Sequence, residues 1–231
     1  MQHHSNKIHI VYYTDPLCCW SWGFEPCWER LLREYADHII YTYCMGGMIS
    51  NWTAFNDPLQ NIHRPSQMGP MWVEARQLTG MHINENIWVK DPPDSSYPAC
   101  VAVKAAGLQS SAAAEQLLKA VRKAVMLDGQ NIADKKVLKD IAKQTAEKES
   151  GELDFDRFCM DFYREPSLEA FRDDLKKVRY HQISRFPTLT FTNGAKGVMI
   201  TGYRPYEVLQ EALCEVAHHL RPMEKKKANH S

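Results

Sequence analysis

The chain has 231 residues, of which 44% are hydrophobic and 24% charged, values typical of a globular protein and not of a disordered or fibrous one. Its 28 basic and 28 acidic residues cancel, so the excess of Lys and Arg that non-specific nucleic-acid binding needs is missing. No run of about 18 apolar residues is present, so no membrane-spanning helix is expected. The first residues lack the apolar core of a signal peptide, and a cytoplasmic location is therefore expected.

The first part of the chain alternates strand, helix and strand patterns. A run of β-branched and aromatic residues at 7–14 predicts a buried strand that ends at Asp15. The spacing of apolar residues predicts a helix over 18–35, although a glycine and a proline inside it should weaken or kink it. A second strand is predicted at 39–44. This order favours two parallel strands joined by a right-handed crossover.

The middle of the chain has almost only helical patterns, and strand patterns return near its end. Helices are predicted at 67–80, 96–108, 111–127, 134–148, 155–164 and 167–180. Strands at 188–192 and 197–201, separated by an Asn-Gly turn, predict a β-hairpin. A last helix is predicted from Pro205 to about residue 220, and the polar tail at 223–231 is expected to be flexible.

Two short motifs on either side of the helical block carry a family resemblance. Residues 14–26 read Thr-Asp-Pro-Leu-Cys-Cys-Trp-Ser-Trp-Gly-Phe-Glu-Pro and resemble the active-site segment Asp-Pro-x-Cys-Pro-Trp-Cys of DsbA-like thioredoxin-fold proteins. Residues 183–191, Ile-Ser-Arg-Phe-Pro-Thr-Leu-Thr-Phe, resemble the cis-proline loop of the same family. The chain is most similar to the FrnE-type cytosolic branch, with glutathione transferase kappa and hydroxychromene-carboxylate isomerase as more distant relatives.

The resemblance implies an α/β architecture, a thioredoxin-like fold with a helical insertion. The thioredoxin-like domain would comprise residues 1–65 and 181–222, and the insertion would comprise residues 66–180. The resemblance also implies that the peptide bond between Phe186 and Pro187 is cis and that this loop lies close to Cys18. Phe186 and Pro187 are then the expected substrate-binding residues.

Cys18 is the expected nucleophile, because thiol–disulfide exchange needs a thiolate and Cys18 begins a predicted helix. The unpaired N–H groups and the dipole of a helix N-terminus stabilise an anion. A pKa lowered from about 8.5 to about 6.5 would make the thiolate the main form at neutral pH. The alternative is a buried and inert cysteine.

The chain departs from the family at the second cysteine of the motif, where Ser21 stands. Ser21 cannot resolve a mixed disulfide on Cys18, although its hydroxyl could donate a hydrogen bond to the thiolate. Cys19 replaces the family's proline, either as a half-exposed bystander or as the partner of Cys18 in a strained vicinal disulfide. Cys27 lies about 13 Å further along the helix and is out of reach.

The sequence therefore predicts a DsbA-like thiol–disulfide oxidoreductase or isomerase that acts through Cys18, assisted by Ser21, on a protein thiol or disulfide or on a small thiol. Trp20 either lines the substrate groove or, with Phe24 one turn later, belongs to the core. No tightly bound cofactor is expected, and glutathione is the candidate co-substrate. The Cys and His spacings contain no metal-binding pattern. Two alternatives stay open: a non-enzymatic protein-binding adaptor and a glutathione-dependent transferase or isomerase.

Overall fold

Four strands form one mixed sheet. The computed structural model describes residues 7–57, 61–148 and 151–220, so the predicted tail at 223–231 lies outside the described residues. The sheet has the order β2-β1-β3-β4, with β1 parallel to β2 and antiparallel to β3. Its strands are β1 (Ile8–Thr14), β2 (Ile39–Met45), β3 (Thr188–Asn193) and β4 (Lys196–Thr201). The predicted parallel pair and the predicted hairpin are both confirmed.

The register of the sheet brings the ends of two distant strands together. Tyr13, near the end of β1, pairs with Thr188 at the start of β3. Because β1 and β3 are antiparallel, the segment that leaves β1 and the loop that leads into β3 lie at the same end of the sheet. Both motifs identified in the sequence are therefore neighbours in the fold.

Helix α1 (Cys19–Glu34) connects β1 to β2 and buries Trp28 completely. The helix continues through Gly23 and Pro26, so the residues expected to weaken it do not end it. Packing explains the glycine, since a Cβ at Gly23 would lie 2.4 Å from Cγ2 of Thr79 on the next helix. The glycine thus permits a close approach between two helices.

Among the described residues, seven α-helices lie between β2 and β3 and form a block that packs on the sheet and on α1. They are α2 (Met68–Thr79), α3 (Ile87–Lys90), α4 (Tyr97–Gly107), α5 (Ser111–Met126), α6 (Lys135–Ala146), α7 (Phe155–Asp161) and α8 (Glu165–Tyr180). α2 and α5 contact α1, and α8 contacts β2. The described part of this block contains no strand, as predicted. Among the described residues, no helix is both long and apolar enough to cross a bilayer.

Helix ends differ from the prediction where a proline or a short turn intervenes. α8 begins at Glu165, two residues before the predicted start, because Pro166 is well tolerated in a first helical turn. α3 was not predicted, since four residues are too few to show helical periodicity. The last helix, α9 (Tyr206–Val216), begins after Pro205 and is shorter than predicted; a 3-10 turn follows it.

Two large buried clusters meet at the start of α1. The larger lies in the helical block and includes Leu17 and Cys19. The other lies between the sheet, α1 and α9 and includes Phe24 and Trp28. Cys18 therefore stands where the helical block joins the thioredoxin-like part.

Candidate functional site

Cys18 is the N-cap residue of α1. Its Sγ accepts a hydrogen bond from the backbone N–H of Ser21 at 3.4 Å. The thiol also donates to the carbonyl oxygen of Phe186, 3.5 Å away. The motif after β1 and the loop before β3 thus meet at the sulfur, as the resemblance implied.

The Cys18 thiol is buried, with only 4% of the residue exposed. Burial raises the pKa of Cys18 above its ordinary value, and the nearby carboxyl of Asp15 adds to the increase. The hydrogen bond from the Ser21 amide lowers this pKa but does not compensate for burial. The predicted fall of the pKa to about 6.5 is therefore wrong, because the loss of hydration outweighs the effect of the helix N-terminus. Burial therefore favours the thiol form of Cys18 over the thiolate.

Alkylation of Cys18 by iodoacetamide is expected to be slow at pH 6.5 and to accelerate beyond pH 8.5. The thiolate is the reacting form, and an ordinary cysteine is half ionised at about pH 8.5. Peptide mapping by mass spectrometry over a pH series would give the rate constant of each cysteine, with the partly exposed Cys159 as a reference in the same chain. A Cys18 rate constant that levels off below about pH 7.5 would contradict a buried, protonated thiol.

No second thiol is placed to resolve a disulfide on Cys18. Ser21 is fully buried, and its side chain acts together with its amide to lower the pKa of Cys18, although the hydroxyl forms no hydrogen bond of ordinary geometry with a described residue. Cys19 is also fully buried and packs in the larger cluster, and is not the half-exposed residue of the first interpretation. All seven cysteines are free, so no vicinal disulfide joins Cys18 to Cys19.

The Phe186–Pro187 peptide bond is cis, as the resemblance implied. The N–H of Gly202 donates to the Pro187 carbonyl at 2.8 Å, which ties this loop to the segment after β4. The Phe186 ring lies against Gly46 at the end of β2, where an added Cβ would be 2.2 Å from the ring atom Cζ. Glycine at position 46 therefore leaves space for the Phe186 ring. From the sequence, this glycine indicated only the end of a strand.

Asp15 fixes the turn between β1 and α1 from inside the core and is 0% exposed. Its carboxylate accepts hydrogen bonds from the N–H groups of Leu17 at 2.9 Å and Met48 at 2.6 Å and from the Ser96 hydroxyl at 2.8 Å. Burial raises the pKa of Asp15, and these hydrogen bonds reduce the increase. The carboxylate joins three chain segments next to Cys18. From the sequence, Asp15 was predicted only to end a strand and to belong to the family motif.

A buried ion pair connects the helical block to α1. Arg122 on α5 is 0% exposed and donates hydrogen bonds to the Glu25 carboxylate on α1 and to the Thr14 hydroxyl at the end of β1. Its guanidinium carbon also lies 5.7 Å from the centroid of the Tyr12 ring. Sequence analysis missed this pair. The available signal was a charged residue on the apolar stripe of α5, four residues after Leu118.

A groove of about 1040 Å³ opens beside Cys18, between the thioredoxin-like part and the helical block. Trp20 lines it, whereas Phe24 belongs to the core. The Trp22 indole N–H donates to the His82 carbonyl at 3.0 Å. The lining of the groove includes Met48, Met68, Met71, Leu78, Arg185 and Arg204.

Comparison with known proteins establishes the class to which this chain belongs. A family model described as Thioredoxin matches residues 12–211, and the chain is a member of that family. Its fold is DsbA-like. A solved Nitrosomonas europaea structure, provisionally named a protein disulfide isomerase, is 24% identical with a TM-score of 0.77 over 93% of this chain and 100% of that one. Cytosolic disulfide reductase DsbM from Pseudomonas aeruginosa is 19% identical with a TM-score of 0.67 over 90% of this chain and 100% of that one.

A curated relative is named as an adapter protein and not as a disulfide isomerase or reductase. The ClpXP adapter protein SpxH of Halalkalibacterium halodurans is 26% identical to this chain over 209 residues. The match covers 89% of this chain and 66% of SpxH, so the chain spans about two thirds of that relative's length. The predicted DsbA-like thioredoxin fold with a helical insertion is confirmed by these comparisons.

Proposed function

We propose that this chain is a protein-binding adaptor that uses the thioredoxin-like fold as a scaffold and the groove beside Cys18 as its binding site. The observation that carries the proposal is the state of the motif, in which Cys18 is 4% exposed and Ser21 replaces the second cysteine. Repeated thiol–disulfide exchange needs an accessible thiolate and a thiol that resolves the mixed disulfide. The groove does not depend on either, so binding can persist without turnover.

The dimensions and the lining of the groove support a protein segment as its occupant. Its volume of about 1040 Å³ lies just above the range of small-molecule pockets, roughly 300–1,000 Å³. Met48 and Met71 contribute flexible, polarizable side chains, which adapt to differently shaped partners. The backbone N–H of Phe186 donates to no described residue and is a candidate donor to an extended chain.

The curated relative supports an adaptor over an enzyme. SpxH is named as an adapter of ClpXP, and this chain is similar to it along most of its own length. By analogy, the chain would hold a protein in the groove and present it to a protease of the ClpXP kind. About a third of SpxH has no counterpart in the match, so recruitment of the protease is itself part of the proposal. A net charge of zero also favours a protein partner over a nucleic acid.

Affinity capture from cells under reducing conditions tests the proposal. Wild type and Cys18→Ser should retain the same proteins, because binding does not use the thiol. Met71→Glu and Leu78→Glu should lose them, since each places a charge in the groove lining, and Leu78 is 64% exposed, so its replacement should not affect folding. Val89→Glu is the matched control, because Val89 is an 83% exposed apolar residue outside the groove lining.

A purified retained protein should then be degraded faster by ClpXP when the chain is added, and Leu78→Glu should remove the acceleration. Proteins that are retained only under non-reducing conditions and only with an intact Cys18 would contradict the adaptor. Such a result would indicate a thiol-exchange enzyme instead.

The oxidoreductase or isomerase predicted from the sequence, which acts through the single thiol of Cys18, is the second candidate. The contact of Cys18 with the carbonyl of Phe186 beside the cis proline favours it. The Cys18 thiolate would attack a disulfide and release one thiolate, and an external thiol such as glutathione would then attack the mixed disulfide and free Cys18. Calorimetry with glutathione, on wild type and Cys18→Ser, distinguishes the candidates: an adaptor gives no binding heat that depends on the thiol.

A further inference from the structure

We propose that the groove selects extended protein segments in which acidic side chains alternate with apolar ones. This inference rests on the adaptor function proposed above and names the chemical class of its partner. It follows from two differently composed sides of the groove, one with basic side chains and the other apolar.

Two arginines lie at the side of the groove that belongs to the thioredoxin-like part. Arg185 precedes the cis proline, and Arg204 follows β4. The hydrogen bond from Gly202 to the Pro187 carbonyl joins these two loops, so both arginines belong to the same side of the groove lining. Both arginines are exposed, and neither forms an ion pair with a described residue. They are therefore available to carboxylates of a partner.

The other side of the groove is apolar. Met71 and Leu78 on α2 and Phe55 in the loop after β2 line it, with the buried Met68 of α2 behind them. Asp57, which forms an isolated bridge with Ile62, is the acidic residue of the lining among the described residues. An apolar side opposite two cations is complementary to a segment with both apolar and acidic side chains.

An extended chain presents side chains alternately to its two sides. A segment lying along the groove with its backbone near Phe186 would direct every second side chain toward Arg185 and Arg204. The residues between would face Met71 and Leu78 of α2. Alternation of acidic and apolar residues therefore satisfies both sides of the groove at once.

Fluorescence anisotropy with labelled heptapeptides tests this specificity on the full chain. The probes alternate leucine with aspartate, leucine with lysine, or leucine with serine. The leucine–aspartate peptide is expected to bind about tenfold more tightly than the leucine–lysine peptide at low salt, since each exposed charge pair contributes about two- to fivefold. The difference should nearly vanish at about 1 M salt, where the screening length is about 3 Å.

Substitutions assign the preference to the two arginines. Combined Arg185→Gln and Arg204→Gln should remove the preference for aspartate, so that the leucine–aspartate and leucine–serine peptides bind with similar affinities. Arg33→Gln is the matched control, because Arg33 is an exposed arginine on α1 outside the groove lining. It should alter none of the three affinities.

The remaining outcomes separate this inference from the function on which it rests. All three peptides could bind with equal affinity, with no effect of the arginine substitutions and with weaker binding to Leu78→Glu. This result would overturn the acidic preference and leave the adaptor function standing. If none binds at about 1 mM, both are overturned. Displacement of the leucine–aspartate peptide by equimolar glutathione would assign the arginines to a small dicarboxylate and overturn the inference alone.

Discussion

Ser21→Cys is expected to accelerate the reduction of insulin by dithiothreitol at least about tenfold over wild type. The Ser21 N–H lies 3.4 Å from Sγ of Cys18, so a sulfur on the same residue would lie close to that of Cys18. Each mixed disulfide on Cys18 could then be resolved within the chain, without waiting for an external thiol. The onset of insulin precipitation, followed by light scattering, measures the rate.

Three further variants show whether the gain comes from the new sulfur. Ser21→Ala, the matched control, removes the hydroxyl without adding a thiol and should give no gain. Cys18→Ser combined with Ser21→Cys should abolish turnover, whereas Cys19→Ser should change it little because Cys19 is fully buried in the core. A folded Ser21→Cys protein without any gain would show that burial of Cys18, and not the missing thiol, prevents exchange.

Arg122→Leu is expected to lower the free energy of unfolding by about 3–5 kcal/mol, the usual cost of breaking a buried ion pair. Glu25 is only 7% exposed and would lose the cation that compensates its charge. Urea denaturation near pH 7 measures the loss. Arg33→Leu, at an exposed site on the partner helix α1, is the control and should change stability by less than about 0.5 kcal/mol.

The decrease in the free energy of unfolding caused by Arg122→Leu should be smaller at pH 5 than at pH 8. Burial raises the pKa of Glu25 even beside Arg122, and removal of the cation raises it further. A carboxyl whose pKa is higher in the folded than in the unfolded state stabilises the fold at low pH, and this contribution disappears as the pH rises through the folded-state pKa. Equal losses at the two pH values would contradict this account of the pair.

A double variant distinguishes the contribution of the Arg122 charge to stability from the contribution of its packing. Arg122→Leu combined with Glu25→Leu should recover most of the lost stability, because an apolar pair leaves no buried charge. If the double variant were as unstable as Arg122→Leu alone, the contribution of Arg122 would come from packing against Tyr12 and not from its charge.

Most strands and helices could be predicted because their signals are local. Asp134 was expected to begin a helix, and its carboxylate accepts a hydrogen bond from the N–H of Lys136 at 2.7 Å. The Asn193-Gly194 turn likewise predicted the hairpin, and Gly194 has a φ of +60°. The elements that were missed or misplaced, such as α3, depend on short segments without a repeating pattern.

The contact between Cys18 and Phe186 could also be predicted, but only from the resemblance of two sequence motifs to those of the DsbA-like family. These residues are 168 positions apart, and neither periodicity nor capping relates segments at such a distance. The same is true of Arg122 and Glu25, which are 97 positions apart. The sequence places Arg122 on the apolar stripe of α5 but does not show which residue compensates its charge.

By itself the sequence determined the order of strands and helices, the position of the cysteine at a helix N-terminus and the replacement of its usual partner by Ser21. Each of these features is set by residues close together in the chain, because it depends on local backbone hydrogen bonds, on the periodicity of side chains or on the identity of a single residue. Only the tertiary structure decided that Cys18 is nearly inaccessible, that burial raises its pKa, and that a groove with a basic side and an apolar side lies next to it. The reason is that the ionisation of a thiol depends on how much water surrounds it, and that is set by segments which fold against Cys18 from distant parts of the chain.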